Sequence, residues 1–247
     1  MDRAAAQKMG VTVVRVPKYS PEAIAEFAVG LILVLCRKIH KAYMQGLAAN
    51  FSLDGLMGFN LHQKTVGIIG TGHIGTAFAR IMAGFGCHLL AVDPEPNEIC
   101  RDLKVNYVTF ETLLNESDIV SLHCILNEQT KYLMNESAFA MMKPGAMFIN
   151  TGRGGLCDTK ALLHALGSGK LGYAGLDVYE KEGGIFFRDH RGEVIQDELF
   201  LKLQSLPNVI ITPHQAFFTE EAVENIVQTT LENISAFEKG KPINTIA

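Results

Sequence analysis

Short apolar runs alternate with amphipathic segments along most of the chain. Runs that are apolar at nearly every position are typical of strands buried on both faces, and apolar residues three and four apart are typical of helices. The predicted strands are Thr65–Ile69, His88–Val92, Ser117–Leu122, Ala146–Asn150, Tyr173–Val178 and Val209–Thr212, and the helices between them are Ile74–Phe85, Phe110–Leu114 and Thr159–Leu166. This alternation predicts an α/β fold with a doubly wound parallel sheet.

The two ends of the chain depart from this alternation. A long helix is predicted from Pro21 to about Gln45, because Ser20 suits the capping position and proline suits the first turn. Its broad apolar side indicates either a core-packing helix or a contact between subunits. A second long helix is predicted over Thr219–Glu238, also with one apolar side. The N-terminal residues offer only one predicted strand, Val11–Val16, and one short helix, Ala4–Met9, which are too few to cover it.

Composition narrows the class of protein. The chain has 247 residues, 48% of them hydrophobic, and a net charge of −4, so it can bury a sizeable core and lacks the basic excess of a nucleic-acid-binding protein. Its five cysteines are odd in number and form no C-x-x-C pair, which disfavours a disulfide framework or a zinc site and predicts a cytoplasmic protein without a metal. No apolar run is long enough to span a membrane, and no signal peptide is predicted.

A glycine-rich turn follows the first predicted strand and opens a helix. Its sequence is Gly70-Thr71-Gly72-His73-Ile74-Gly75, a G-x-G-x-x-G pattern whose backbone N–H groups can approach a pyrophosphate. The next strand ends at Asp93, where a carboxylate can accept both hydroxyls of an adenosine ribose. No Arg or Lys lies between Asp93 and Arg101, so a 2′-phosphate would find no cation there. The pattern predicts NAD binding; the alternative is a structural turn with a solvated aspartate.

Three charged side chains follow later strands. Arg153 lies between Gly152 and Gly154, and Glu182 and His214 follow the next two strands. Since parallel strands end at one edge of a sheet, these groups are expected to meet there. A guanidinium binds a carboxylate through two hydrogen bonds, and a carboxylate beside a histidine favours the imidazolium that donates a proton. Taken singly, a surface arginine and a structural histidine are the alternatives.

The four motifs together resemble a known family. G-x-G-x-x-G, N-T-x-R-G, D-V-x-E-x-E and P-H-x-A occur in this order, and the resemblance to the D-isomer-specific 2-hydroxyacid dehydrogenases covers essentially the whole chain. Within that family the fermentative D-lactate dehydrogenases are the most similar, because the loop Gly183–His190 and the segment His214–Thr219 resemble theirs. One departure is Ile125, which stands where the family usually has proline.

The resemblance implies a role for each matching residue. Arg153 is expected to bind the substrate, Glu182 to orient the histidine, and His214 to act as general acid and base. The expected cofactor site consists of Gly70, Gly72, the amides of His73 and Ile74, Gly75, Asp93 at the ribose, Thr151 on the nicotinamide side and Asp177 at the nicotinamide carboxamide. The cofactor is NAD and the substrate a small 2-keto or 2-hydroxy acid, with no nucleic-acid or membrane partner.

The family also implies two domains. Residues 1–18 are expected to be a remnant of an incomplete flavodoxin-like substrate domain, 19–217 a Rossmann-type NAD-binding domain, and 218–247 the C-terminal helix of the substrate domain. The family's N-terminal part would contribute about eighty further residues, the size of a small domain. The expected activity is the reduction of pyruvate to D-lactate by NADH, with cofactor binding intact and turnover impaired. Two alternatives stay open: an inactive NAD-binding dimerisation module and a dehydrogenase of another D-2-hydroxyacid. A homodimer is expected, formed through the helix that begins at Pro21.

Overall fold

The computed structural model describes residues 2–246, and of Arg3 the backbone alone. Two compact units divide them. One contains Ile24–Ala216, and the other contains the residues up to Ala23 together with those from Phe217 onward.

The larger unit is built on a sheet of seven parallel strands. Their order across the sheet is β3-β2-β1-β4-β5-β6-β7. The strands are β1 Thr65–Ile69, β2 His88–Val92, β3 Asn106–Tyr107, β4 Ile119–Leu122, β5 Ala146–Asn150, β6 Leu171–Leu176 and β7 Val209–Ile211. The chain moves outward from β1 in one direction and from β4 in the other. This topology confirms the predicted doubly wound α/β fold.

The register of the sheet aligns the ends of six strands. Val92, Ile69, Leu122, Asn150, Leu176 and Ile211 are successive register partners and are the last residues of β2, β1, β4, β5, β6 and β7. Segments that leave these strands therefore start from one row at one edge of the sheet. Neighbouring strands lie about 4.8 Å apart, so β5 and β7 are separated by about 10 Å at that edge.

Two apolar cores cover the two faces of the sheet. In β5, Met147 and Ile149 belong to one core and Ala146 and Phe148 to the other, which explains why the strand is apolar throughout. The helices are α1 Arg3–Lys8, α2 Pro21–Cys36, α3 Ile39–Leu47, α4 His73–Gly84, α5 Glu98–Asp102, α6 Phe110–Glu116, α7 Glu136–Met141, α8 Thr159–Gly167, α9 Glu198–Ser205 and α10 Glu220–Glu238. Within the described residues, no helix is long and apolar enough to cross a bilayer.

The predicted helix from Pro21 to Gln45 is wrong as a single element. Lys38 has a left-handed backbone, with φ of 53°, and separates α2 from α3. The apolar side of α2 is buried in the core of the larger unit, with Ile32 and Leu35 fully covered, so this helix packs in the core. The exposed apolar side chains lie instead on α3 and the segment after it: Ile39, Tyr43, Met44, Leu47, Phe51, Leu53 and Met57.

In the smaller unit the predicted strand Val11–Val16 is also wrong. Val14 makes one isolated antiparallel bridge with Thr245, and Asn233 on α10 donates a hydrogen bond to the carbonyl of Arg15. A single bridge provides too little pairing for a strand. The helix α10 follows the prediction closely, with Thr219 as its cap. Its apolar side chains stay exposed in this unit, namely Val223, Val227, Leu231, Ile234 and Phe237.

Candidate active site

The glycine turn connects β1 to α4 and requires its glycines. Gly70 has a φ of 95°, and a β-carbon there would lie 2.6 Å from the backbone nitrogen of Cys124. A β-carbon on Gly75 would collide with the carbonyl oxygen of Gly70. The turn therefore folds tightly back against the first turn of the helix and against the segment that follows β4.

The N-terminus of α4 is open to a ligand. Gly72 is its N-cap residue, makes no side-chain capping bond, and has no atom within 4 Å of the position that a β-carbon would take. The backbone N–H groups of His73 and Ile74 stand in the uncapped first turn, where the helix dipole favours an anion. A dinucleotide pyrophosphate fits this arrangement of free donors and empty space.

Asp93 lies beside this turn at the end of β2. Its carboxylate accepts the N–H of Thr71 at 2.6 Å and that of Glu95 at 2.9 Å, which fixes it next to the glycines. Each oxygen keeps a further lone pair for a ribose hydroxyl. The hydroxyl of Tyr107 donates to Thr71 Oγ1 at 2.9 Å and accepts the N–H of Asn97 at 2.8 Å. Sequence reasoning missed Tyr107, because the two-residue strand β3 gives no periodic signal.

His123 packs near the glycine turn. His123 follows β4, bonds Ser121 Oγ through Nε2 at 2.9 Å and packs on Phe78 with ring centroids 4.7 Å apart. Burial disfavours its charged form and lowers the pKa of His123 to about 3. This imidazole is therefore neutral near neutral pH and serves as part of the packing.

The turn that carries Arg153 is fixed by the last residue of β5. The Asn150 side chain accepts the N–H of Gly152 at 3.0 Å and donates to the carbonyl of Arg153 at 3.0 Å. The guanidinium is exposed, and among residues 2–246 no carboxylate forms a salt bridge with it. The neighbouring Thr151 hydroxyl is buried without a hydrogen-bond partner. The guanidinium donates one hydrogen bond, from Nη1 to the carbonyl of Gly152 at 2.7 Å. Its other N–H groups and the Thr151 hydroxyl keep hydrogen-bonding capacity for a ligand.

The Arg153 turn packs directly on the segment that leads to Glu182. A β-carbon on Gly154 would collide with the peptide between Tyr179 and Glu180. The Glu180 carboxylate accepts the Tyr132 hydroxyl at 2.6 Å and the Thr159 hydroxyl at 2.8 Å. It thereby raises the pKa of Tyr132. The sequence places Glu180 in the D-V-x-E-x-E motif but assigns it no role, and it gives no signal for Tyr132, because the two residues are distant in the chain.

Glu182 and His214 form a hydrogen-bonded pair. Nδ1 of His214 lies 3.1 Å from Glu182 Oε1, and the two side chains are 23% and 31% exposed. Because an ionised carboxylate only accepts, Nδ1 carries the proton of this bond. Within the described part of the chain no hydrogen bond involves Nε2, so that nitrogen is available for proton exchange. His214 has a left-handed backbone with φ of 55°, so the chain does not continue the extended conformation of β7 at this residue.

Asp177 holds the turn that carries His214. It is fully buried, and its carboxylate accepts the Thr212 hydroxyl at 2.6 Å and the N–H groups of Gln215 and Ala216 at 3.0 and 2.8 Å. These three donors flank the histidine on both sides. The structure thus brings Glu182, His214 and Asp177 together, and the turn that carries Arg153 contacts the segment that leads to Glu182.

These segments all leave the sheet from the same row of strand ends. The glycine turn follows β1, the Arg153 turn follows β5, and the histidine turn follows β7. No cluster of three or more His, Cys, Asp or Glu side chains suited to a metal ion occurs in the part of the chain that the structure describes. The polar groups at this edge are suited to an organic anion and a dinucleotide.

Comparison with known proteins places this geometry in a family. Residues 29–216 match the NAD-binding domain of D-isomer specific 2-hydroxyacid dehydrogenases. The D-lactate dehydrogenase of Escherichia coli (strain K12) is 51% identical over 241 residues, which cover 98% of this chain and 73% of that protein.

Solved structures agree. The pyruvate reductase of Chlamydomonas reinhardtii has a TM-score of 0.94 and 46% identity, covering 98% of this chain and 73% of that one. The D-lactate dehydrogenase of Aquifex aeolicus, in complex with NAD and lactic acid, has a TM-score of 0.90 and 33% identity, covering 100% and 77%. The findings confirm the fold class and the NAD cofactor predicted from the sequence. The chain belongs to the D-isomer-specific 2-hydroxyacid dehydrogenases, a family of NAD-dependent oxidoreductases.

Proposed function

We propose that this protein reduces pyruvate to D-lactate with NADH, and oxidises D-lactate in reverse. The observation that carries the proposal is the Glu182–His214 pair at the sheet edge from which the glycine turn also leaves; among residues 2–246 the histidine Nε2 makes no hydrogen bond. The high identity to D-lactate dehydrogenase of Escherichia coli supports the choice of substrate.

Each residue of the pair has a distinct task in this reaction. The imidazolium of His214 donates its Nε2 proton to the substrate oxygen, which becomes the hydroxyl of lactate. Glu182 holds Nδ1 and stabilises the positive charge that precedes this transfer. When bound, NADH supplies the hydride that adds to C2 of the keto acid. Arg153, whose guanidinium forms no salt bridge within residues 2–246, binds and polarises the substrate.

The proposed cofactor contacts follow the open groups of the edge. The amides of His73 and Ile74 bind the pyrophosphate, and Asp93 binds the adenosine ribose. On the nicotinamide side, the unpartnered hydroxyl of Thr151 is available as a hydrogen-bonding group. Asp177 follows β6, which pairs with the strand that Thr151 follows. Its carboxylate already accepts three hydrogen bonds from the histidine turn.

We also propose a homodimer in the cytoplasm. The exposed apolar side chains of α3 and the segment after it, defined above, support a subunit contact there in place of the helix α2. Five free cysteines support a reducing compartment. The smaller unit is proposed to belong to the substrate domain, which is supported by the exposed apolar side of α10.

The test combines cofactor binding with turnover. NADH binding is measured by fluorescence, and pyruvate-dependent NADH oxidation is measured together with the chirality of the lactate formed. We expect His214→Ala to lower turnover by about 10²-fold or more while leaving NADH binding unchanged, because general acid catalysis contributes about that much. His88→Ala, at an exposed position of β2, is the matched control and retains full activity.

An inactive NAD-binding module is the alternative, and the same assay separates the two. Such a module binds NADH but forms no lactate above the His214→Ala background. Formation of L-lactate, or a faster reaction with a larger keto acid, would instead reject the proposed substrate. The slow turnover expected from the sequence, below about 10 per second, stays a prediction that this assay measures.

A further inference from the structure

Phe187 occupies an unusual backbone conformation at the surface. Its φ is 62°, in the left-handed region that a bulky side chain rarely adopts, and 71% of the residue is exposed. Neither burial nor a helix end accounts for this conformation. Strained residues of this kind concentrate at functional sites.

The loop around Phe187 is firmly attached on its N-terminal side. The N–H groups of Ile185 and Phe186 both donate to the carbonyl of Glu182 at 3.0 Å. Phe186 is buried and packs edge-on against Phe200 with centroids 6.0 Å apart. His190 Nε2 bonds the carbonyl of Ile185 at 2.9 Å, which closes the loop. Phe186 thus anchors the loop in the core, while the next residue points outward from a fixed base.

The exposed ring lies beside the proposed general acid. The ring centroids of Phe187 and His214 are 5.8 Å apart, with an angle of 37° between their planes. Glu182 occupies Nδ1 of the histidine, so a substrate must approach Nε2, about 3 Å from its carbonyl oxygen. The Phe187 ring flanks the same imidazole, so it belongs to the surroundings of the group that a substrate must approach.

We propose that Phe187 is a specificity-determining residue that forms an apolar wall of the keto acid site. The inference rests on the proposed function, since it assigns a face of the same site. The ring contacts the carbon chain of the substrate beside C2 and limits its size, which favours a small 2-keto acid such as pyruvate. The left-handed backbone is retained because it directs the ring toward His214.

The test uses four variants of the full chain. Phe187→Ala removes the ring, and Phe187→Gly removes both the ring and the backbone strain. Phe187→Tyr keeps an aromatic ring at this position. Val194→Ala changes an exposed apolar residue of the same loop region and is the matched control. For each protein we measure kcat and KM for pyruvate and for 2-oxo-4-methylpentanoate, the Kd of NADH, the Kd of oxamate for the NADH complex, and thermal stability.

We expect Phe187→Ala and Phe187→Gly to lower kcat/KM for pyruvate about tenfold, mainly through KM, and to weaken oxamate binding similarly. The ratio of kcat/KM for the larger acid over pyruvate rises, NADH binding is unchanged, and Phe187→Tyr restores the parent values. Unchanged keto acid kinetics and oxamate binding in the alanine and glycine variants overturn the inference.

Two other outcomes also overturn it, and they are distinguishable. If glycine restores the activity that alanine loses, backbone strain alone explains the effect and the ring has no role. If the parent protein neither reduces a 2-keto acid nor binds oxamate, the proposed function itself fails, and the inference fails with it. Oxamate binding that depends on Phe187 supports the inference even where turnover is slow.

Discussion

The two halves of the sheet edge are built in different ways. At β1 and β2, the groups proposed to bind the cofactor are the backbone amides of one turn, where glycines leave space, and the carboxylate of Asp93, which backbone N–H groups fix beside that turn. At β5, β6 and β7, the proposed groups are side chains, and buried polar residues position the turns that carry them. Asp177 holds the turn of His214, and Glu180 joins Tyr132 to Thr159.

This difference separates binding from chemistry. A backbone cradle tolerates change in the side chains around it, because its donors belong to the main chain. A catalytic edge made of side chains depends on buried polar contacts, and loss of one partner leaves the others unsatisfied. Substitutions in the two halves should therefore affect different measurements.

The largest effect is expected for Asp177→Ala. Two backbone N–H groups and one hydroxyl lose their buried acceptor, which should lower the free energy of unfolding by about 2–5 kcal/mol. Displacement of the His214 turn should reduce kcat by about 100-fold, since a shift of about 1 Å is enough for that loss. Chemical denaturation and steady-state kinetics measure the two effects.

Asp177→Asn is the conservative control for this prediction. It keeps one acceptor oxygen and the side-chain shape, so its losses should be smaller in both measurements. If Asp177→Ala instead weakened NADH binding with kcat unchanged, the carboxylate would act on the cofactor and not on the turn.

Two glycines of the nucleotide half give the next largest effect. Gly75→Ala should raise the Kd of NADH at least about tenfold and also destabilise the fold, because the new methyl group collides with the turn itself. Gly72→Ala has open space around it, so only the approach of the cofactor is affected. Fluorescence titration and thermal unfolding distinguish these outcomes. Equal loss of stability in the two variants would contradict the expectation that Gly75 matters for the fold and Gly72 for the cofactor alone.

The contrast also explains what the sequence could reveal. The glycine turn and Asp93 are recognisable because their geometry is local and follows directly from a strand and a helix. All six predicted strands of the sheet exist, since a strand buried on both faces is apolar throughout. Arg153, Glu182 and His214 were found by their motifs, and their roles stay predictions.

Other features depend on contacts that no local pattern contains. The break at Lys38 was missed because apolar residues continue at helical spacing on both sides of it, and the left-handed backbone of Lys38 leaves no signal in that spacing. Glu180 was read as part of a motif, yet its function in the fold comes from hydroxyls contributed by distant segments. The strand predicted at Val11–Val16 does not form, because its pairing in the described residues is limited to one bridge, between Val14 and Thr245.

A smaller effect is expected for Glu180→Gln. The amide is uncharged, so the hydroxyls of Tyr132 and Thr159 both lose their charged acceptor. We expect kcat/KM for pyruvate to fall about fivefold, which corresponds to about 1 kcal/mol, with NADH binding unchanged.

Tyr132→Phe removes the same hydrogen bond from the other side. In the double variant the losses should not add, because both changes break one contact. Additive losses, or weaker NADH binding in either single variant, would show that Glu180 does not act through this contact.

The smallest effect near neutral pH concerns the pH dependence of stability and the neutral His123. Its folded pKa of about 3 lies below the ordinary value of 6.5, so below pH 6.5 the unfolded state binds a proton that the folded state does not. The free energy of unfolding should therefore fall as the pH decreases from about 6.5 to 4.5, by at most about 1.4 kcal/mol per pH unit. The carboxylates of Asp118, Asp189 and Asp197 have lowered pKa values, so the stability that they contribute is lost at lower pH, below about pH 4.

His123→Gln should flatten the dependence of the free energy of unfolding on pH between pH 6.5 and 4.5, whereas His88→Gln, at an exposed position, should leave it unchanged. Denaturant titrations across this range measure the slope. If the slope of the free energy of unfolding persists in His123→Gln, another group causes it. The buried His123 would then no longer differ in this respect from His214, which is paired with Glu182.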